Sequence, residues 1–186
     1  VAMDLDFDAY PDFAALTLYL HRRGSVPALL AAEILHYRDR RATPRFAHEA
    51  GAMLLAFELL CDVRRHAQQG RHYLPADDME RHGVHPGDLL AAQTTDRLRQ
   101  LFALQAERLR AYHRRASDFL PDADRRAQSP LLIRLELAMA LLAEIAEDGY
   151  RLLEQRIHLT PLRKLWLAWR LRRREKRRYS YLTVTG

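Results

Sequence analysis

Residues 51–75 read Gly51-Ala-Met-Leu-Leu-Ala-Phe-Glu-Leu-Leu-Cys-Asp-Val-Arg-Arg-His-Ala-Gln-Gln-Gly70-Arg-His-Tyr-Leu-Pro75. Apolar residues recur there at helical spacing, and the pattern extends back to Thr43-Pro44, which is typical of a helix start. Gly70 is the expected end of this helix, because glycine commonly follows a helix C-terminus. The stretch therefore predicts a long helix over residues 43–69, followed by a loop that begins at Gly70.

Three side chains in this helix are spaced four residues apart, namely Glu58, Asp62 and His66. This spacing places them on one helix face, and we expect them to point into a central cavity. The alternative is a solvated, salt-bridged helix face, because Arg64 and Arg65 are adjacent.

Helical patterns account for most of the remaining chain and predict an all-α bundle with short connections. Gly24-Ser25 is expected to break the chain between the first two helices. A loop with at most one short helix is expected over 75–88, and only residues 181–184 have strand character. The other predicted helices cover residues 12–22, 27–37, 94 or 95 to 119, 129–156, and a last segment from 160.

Composition favours one folded domain in a reducing compartment. Of the 186 residues, 48% are hydrophobic, which is enough for a sizeable core. Cys61 is the single cysteine, so no internal disulfide can form and a cytoplasmic location is expected. No apolar run reaches the length of a membrane-spanning helix, and residues 1–6 lack the basic start of a signal peptide.

The positive charge is concentrated near the C-terminus. Residues 163–178 hold nine Lys or Arg and one Glu, a local charge of +8, whereas the whole chain carries +6. With Trp166 and Trp169 this segment predicts a basic amphipathic helix on a membrane surface, the alternative being a solvated helix. Nucleic acid is not expected as a partner, because no aromatic residues are interleaved with the charges. We therefore divide the chain into a helical domain, 1–160, and a basic tail, 161–186.

Other groups of polar residues are weaker candidates for chemistry. Asp4, Asp6 and Asp8 alternate, but the rest of a calcium loop is absent, so a solvated terminus is the better interpretation. His82 and His85 have zinc-like spacing without a third ligand nearby. We expect Cys61 to be an inert thiol rather than a nucleophile.

The order of Asp62 followed by Gly70-Arg71-x-Tyr73-x-Pro75 resembles the second catalytic helix of the squalene/phytoene synthase family. That motif runs roughly Gln-Leu-Thr-Asn-Ile-x-Arg-Asp-x-x-x-Asp, then Gly-Arg-x-Tyr-x-Pro. The loop is intact here, whereas four helix positions differ. They are Leu55 for Gln, Glu58 for Asn, Cys61 for Arg and His66 for the second Asp.

Further segments are similar to the same family over nearly the whole chain. They lie at residues 3–5, 10, 16–19, 74–84, 120–121 and 147–150, and residues 159–169 resemble the bacterial hopanoid-pathway branch, which makes presqualene diphosphate or squalene. The resemblance implies a partial isoprenoid-synthase-type helical bundle. The family's first aspartate-rich helix, expected before Val1, has no counterpart in the chain.

The resemblance also implies a site for a prenyl diphosphate, with farnesyl diphosphate as the expected substrate and the use of NADPH left open. Asp62, Arg71 and Tyr73 would be catalytic. Tyr19, Arg22, Leu55 and Arg71 would contact the substrate. Asp62, Glu58 and His66 would hold Mg²⁺. For Arg71 the alternative is a solvated side chain on a loop that only shapes the helix exit.

Three hypotheses follow. The first is a Mg²⁺-dependent head-to-head prenyltransferase domain, cytoplasmic and peripheral at the inner face of the membrane. The second is a catalytically inactive homologue that acts in lipid binding or protein assembly, which the four changed helix positions favour. The third is a membrane-surface adaptor that acts through the tail. In each case we expect this chain alone to have little or no synthase activity.

Overall fold

The computed structural model describes residues 9–154, 160–162, 165, 166, 168–170 and 173. Within them the chain is helical, and the only β feature is an isolated bridge between Ala9 and His72, which confirms the all-α prediction. The weak strand pattern at 181–184 lies outside the described residues. The α-helices are α1 Phe13–Leu20, α2 Val26–Leu35, α3 Ala42–Cys61, α4 Val63–Gln68, α5 Ala76–Arg81, α6 Asp96–Phe119 and α7 Ser129–Glu147.

Helices α1 and α2 are joined without a break, so the prediction that Gly24-Ser25 separates them is wrong. A π-helical segment, His21–Ser25, carries the chain directly from one to the other. The glycine serves close packing instead, because a Cβ at Gly24 would lie 2.5 Å from the carbonyl oxygen of Gly51 on α3. Two glycines facing each other allow the two backbones to touch. Pro27 lies in the first turn of α2, as predicted.

The long helix predicted over 43–69 is interrupted at Asp62. Helix α3 ends at Cys61 and α4 begins at Val63, because Asp62 leaves helical geometry with φ −100° and ψ 17°. Gly70 ends α4 with φ +72°, as predicted, in the left-handed region that favours glycine.

The last two long helices begin where the sequence predicts. The Thr95 hydroxyl accepts a hydrogen bond from the Leu98 N–H and caps α6. Helix α7 ends at Glu147 rather than near residue 156, because Gly149 (φ +73°) and Tyr150 (φ 57°) adopt left-handed backbone. The 75–88 segment holds α5 and then the first part of a 3-10 helix, Pro86–Leu90, which is one helical turn more than predicted.

Helix α3 lies at the centre of the bundle and packs against α6, α7, α2 and the π-helical segment. Its Phe46 and Met53 are fully buried with Phe102 of α6 and Leu135 of α7. This packing leaves the C-terminal half of α3 between the α1–α2 wall and α7, which positions the candidate site.

One buried carboxylate fastens the connections at the end of the bundle where α3 begins. Asp124, 1% exposed, accepts hydrogen bonds from the Arg38 N–H (2.8 Å), the Asp39 N–H (2.9 Å) and the Thr43 hydroxyl (2.7 Å). Gln128 donates to the carbonyl oxygens that end α2. Hydrogen bonds between buried polar groups therefore tie the α2–α3 connection to the α6–α7 connection.

Candidate functional site

A large cleft opens along α3, between the α1–α2 wall and α7. Its volume of about 660 Å³ lies within the range of small-molecule sites. Its walls are mostly apolar, with Leu54 and Leu55 of α3 facing Leu137, Leu141 and Ile145 of α7. This arrangement suits an elongated hydrophobic ligand.

Two carboxylates line the large cleft at the C-terminal end of α3. Glu58 is exposed, whereas Asp62 is only 9% exposed. The Asp62 carboxylate forms an ion pair with the Arg65 guanidinium, three residues further on. The predicted pairing of Glu58 and Asp62 on one cavity is therefore observed, with one of the two already engaged by a cation.

His66 does not share that cavity, so the prediction of one continuous column is wrong for this residue. The interruption at Asp62 means that α3 and α4 do not form one regular helix, and the four-residue spacing does not carry the face across the break. His66 instead lines a small pocket and makes an edge contact with the Tyr73 ring at 4.9 Å. Burial lowers the pKa of His66, and the charge of Arg65 lowers it further, which favours a neutral imidazole.

The small pocket lies on the other side of α3 and α4, among α1, α6 and the loop after Gly70. Its volume of about 30 Å³ has room for a water molecule or two rather than for a prenyl chain. Arg71 and Tyr73 line it, with Arg71 exposed. The intact loop motif therefore faces a different cavity from Asp62.

The remaining predicted substrate contacts are distributed over different places. Leu55 lines the large cleft. Tyr19 is 3% exposed and belongs to a ring cluster with Tyr10 and Tyr73, at centroid distances of 5.6 and 5.4 Å. Arg22 is exposed and lines neither the large cleft nor the small pocket.

A sequence profile described as Squalene/phytoene synthase matches residues 1–163. The chain belongs to the squalene/phytoene synthase family. Among curated relatives, phytoene synthase 3 of Zea mays is 30% identical over 168 residues, covering 88% of this chain and 39% of that protein. The 15-cis-phytoene synthase of Synechocystis is 29% identical over 181 residues, covering 90% of this chain and 54% of that protein. The chain thus spans about two fifths to half the length of these squalene/phytoene synthase relatives.

Solved structures confirm the isoprenoid-synthase-type fold. A dehydrosqualene synthase in complex with ligand superposes with a TM-score of 0.79 at 21% identity, covering 97% of this chain and 61% of that one. A squalene synthase from Alicyclobacillus acidocaldarius superposes with a TM-score of 0.70 at 24% identity, covering 81% of this chain and 57% of that one. These likenesses establish the fold of the squalene/phytoene synthase family for this chain.

Sequence reasoning missed a buried ion pair beside the small pocket. Asp78 has no exposed surface, and its carboxylate accepts hydrogen bonds from Arg108 (3.0 Å from Nη2 to Oδ1) and from the Gln105 amide (3.1 Å). The Arg108 guanidinium also lies 4.1 Å from the centroid of the Phe13 ring. Asp78 falls within a stretch that resembles the family, but no local spacing connects it with Arg108, thirty residues later.

Two cleft arginines were also missed, Arg23 and Arg134. Arg134 interrupts a stripe of α7 in which Leu131, Ala138 and Leu141 otherwise face the same cleft. One charge in an apolar helical stripe is a signal that the sequence does contain, and it could have identified this residue.

The magnesium site that the squalene/phytoene synthase family implies is not complete among the described residues. Within them, no three His, Cys, Asp or Glu side chains are grouped so that they could hold a metal ion. The large cleft offers the carboxylates of Glu58 and Asp62, and the second of these is paired with Arg65. The described residues therefore do not fit a self-contained magnesium site.

Proposed function

We propose that this chain binds a prenyl diphosphate in the large cleft and acts as a domain of a head-to-head prenyltransferase of the squalene/phytoene synthase type, with farnesyl diphosphate as substrate. One observation carries the proposal: the apolar cleft of about 660 Å³ is lined by the carboxylates of Glu58 and Asp62 at one end of α3. The leucine and isoleucine walls would hold the isoprenoid chain, and Leu55 would contact it directly. We also propose that the chain belongs to the bacterial hopanoid-pathway branch, which makes presqualene diphosphate or squalene.

The walls of the large cleft would also protect a reactive substrate. A prenyl diphosphate that loses its diphosphate leaves an allylic cation, which water would quench, so an apolar cavity favours productive condensation. Arg23 and Arg134 can donate paired hydrogen bonds to phosphate oxygens. Magnesium, when bound, would stabilise the leaving diphosphate. Glu58 and Asp62 would supply two of its oxygen ligands, and the others would come from outside the described residues.

We propose roles for the other predicted site residues from their positions in the structure. Arg71, Tyr73 and Tyr19 would support the site through the ring cluster and the small pocket, which shares α3 and α4 with the large cleft. Arg22 would contact the substrate from the exposed side of the π-helical segment. For His66 we propose a supporting contact with Tyr73 in place of metal binding, because the two rings meet in the small pocket.

We also propose a cytoplasmic location with peripheral attachment to the membrane. A prenyl substrate partitions into lipid, and a basic tail provides a means of staying near it. Among the helices that the structure describes, none combines the length and the apolarity required to cross a bilayer.

A second function is favoured by a specific observation at the same cleft. Asp62 is occupied by Arg65, and no third metal ligand is grouped with it among the described residues. A catalytically inactive homologue that keeps the apolar cleft for lipid binding would have this arrangement. Both functions require the cleft to bind an isoprenoid, and they differ in turnover.

Calorimetric titration of the 186-residue chain with farnesyl diphosphate, in Mg²⁺ and in EDTA, tests the proposal, followed by extraction of products. Leu141→Glu places a negative charge in the cleft wall and should weaken binding about 10-fold or more, since the isoprenoid chain would then face a carboxylate in place of an apolar side chain. Leu90→Glu, at an exposed leucine away from the cleft, is the matched control and should bind as the parent does. Binding with product supports the prenyltransferase, and binding without product supports the inactive homologue. Absent binding, or equal binding by the two variants, would overturn both.

A further inference from the structure

The tail presents four apolar side chains that nothing in the described structure covers. Leu162 is 80% exposed, Leu165 68%, Trp166 51% and Trp169 55%. The described residues on either side of them are helical. Their spacing of three, one and three residues places all four side chains on one helix face. We call these four residues the tail face.

Basic side chains lie directly beside the tail face. The Arg170 guanidinium is 5.1 Å from the centroid of the Trp166 ring, and the Arg173 guanidinium is 5.0 Å from that of Trp169. These are cation–π pairs between residues one helical turn apart. Each tryptophan is thus an apolar body with a cation held over its ring, and a side chain pair of this kind suits the boundary between hydrocarbon and headgroup.

A second stripe of exposed apolar residues, on α2, lacks the basic side chains that accompany the tail face. On α2, Val26, Leu30 and Ile34 are 38%, 62% and 77% exposed and lie four residues apart. The sequence of α2 contains Glu33 and no Lys or Arg. That stripe has apolar surface alone, whereas the tail face combines apolar surface with the nine basic residues of 163–178.

Among possible partners, an anionic bilayer matches both features of the tail. Tryptophan favours the membrane interface, and lysine or arginine near the surface is attracted to anionic lipid headgroups. Nucleic acid would satisfy the charges but would leave the leucine side chains without a partner. A second copy of the tail would bring two strongly positive segments together, which repel each other.

We propose that the tail face is the membrane-binding surface of this protein, with Leu162, Leu165, Trp166 and Trp169 inserted at the interface of a bilayer that contains anionic phospholipid. Arg170 and Arg173 bind the headgroups beside the two tryptophans. The surface is independent of the large cleft, and it functions whether or not the cleft binds a prenyl diphosphate.

Vesicle co-sedimentation of the full 186-residue chain tests this surface, with vesicles of phosphatidylcholine alone and of phosphatidylcholine with phosphatidylserine. The paired variant Trp166→Ala with Trp169→Ala should weaken binding about 10-fold or more in low and in high salt, because the apolar contact does not depend on screening. The paired variant Arg170→Gln with Arg173→Gln should weaken binding about 5-fold per arginine, and only in low salt. Circular dichroism of each variant checks that the bundle is folded.

Two matched controls use exposed residues elsewhere in the chain. Leu30→Ala with Ile34→Ala removes comparable apolar surface from α2, and Arg97→Gln with Arg114→Gln removes two exposed cations from α6. Both should bind as the parent does. Equal losses in controls and tail variants would overturn the proposal, and so would full binding by the tryptophan pair. Tryptophan-dependent dimers without vesicle binding, or binding to duplex DNA with no preference for anionic vesicles, would overturn it as well.

Discussion

The buried carboxylate of Asp78 stabilises the contact between two helices beside the small pocket. Asp78 has no exposed surface, and its carboxylate accepts hydrogen bonds from Arg108 and Gln105 of α6 and a longer one, 3.4 Å, from Arg81 of its own helix. A buried charge that loses its main partner is costly, because the remaining ion pair with Arg81 is longer and reaches only one of the two carboxylate oxygens. The pair fixes α5 to α6 next to the small pocket.

Arg108→Met keeps the length of the side chain but removes the cation that contacts both carboxylate oxygens of Asp78. We expect the free energy of unfolding to fall by about 3–5 kcal/mol, measured by chemical denaturation. Arg99→Met is the matched control, since its partner Asp96 is 86% exposed and that surface pair contributes about 1 kcal/mol at most. Similar losses in the two variants would contradict the assignment of Asp78 as a buried charge that depends on Arg108.

Asp124 predicts a pH dependence of stability. Burial favours its neutral form, but hydrogen bonds from Thr43, the Asp39 N–H and the Arg38 N–H outweigh burial and lower the pKa of Asp124. Because the folded-state pKa is the lower one, the stabilisation is present above the unfolded-state pKa of about 3.9 and is lost as pH falls through the folded-state pKa.

Asp124→Asn should therefore destabilise the protein near pH 7, and the difference from the parent should narrow below about pH 4. Urea denaturation at a series of pH values from 3 to 7 measures it. The control is Asp122→Asn, at an exposed neighbour two residues away, which should show little difference at any of these pH values. A gap between parent and Asp124→Asn that is independent of pH would contradict the linkage.

At the scale of helices, the sequence correctly predicts the features that depend on neighbouring residues, such as helix ends. Thr95 and Gly70 mark helix ends through their own side-chain and backbone chemistry, and both ends are confirmed. The π-helical segment was not predictable in this way. The packing of Gly24 depends on its close contact with Gly51, which lies 27 residues later in the chain. The contacts that decide such a feature are distant in sequence.

The same difference between local and distant contacts explains which predictions about the candidate site are correct. Glu58 and Asp62 lie within or at the end of one helix, so their spacing correctly predicts a shared cavity. His66 lies beyond the interruption at Asp62, and the spacing rule fails there. Arg108 reaches the small pocket from a helix that is close only in the folded chain. Periodicity therefore predicts membership of a face, whereas tertiary contacts decide which cavity that face meets.

Gly51→Ala tests the contact between the π-helical segment and α3. The added Cβ would lie 2.4 Å from the Gly24 carbonyl oxygen and 2.6 Å from the Ala28 Cβ, so the backbones must separate. We expect a loss of about 1–3 kcal/mol in the free energy of unfolding, measured by thermal or chemical denaturation. Gly87→Ala is the same substitution where no atom lies within 4 Å of the new Cβ, and it should be neutral or slightly stabilising. Equal stability of the two variants would show that the helices do not meet at Gly51.

The whole molecule divides its charge and its core between different parts of the chain. The buried hydrophobic core extends from Tyr10 to Leu153, and the described tail residues contribute none of it. Residues 163–178 carry a net charge of +8 against +6 for the entire chain, so the remainder is slightly acidic. The bundle would therefore fold from its own contacts, and the tail would add an affinity for anionic surfaces without adding to the core.

Removal of residues 161–186 should leave the bundle intact. We expect the unfolding temperature to change by no more than about 2 °C, because the truncation removes no described core residue and a loss of 1 kcal/mol shifts it by about 2–4 °C in a protein of this size. Farnesyl diphosphate should bind the truncated and full chains with equal affinity, since the large cleft ends at Leu152 in sequence. Calorimetry of both chains measures the two quantities side by side. A drop of 10 °C or a lost binding site would mean that the tail packs on the bundle and that residues 1–160 are not a complete folding unit.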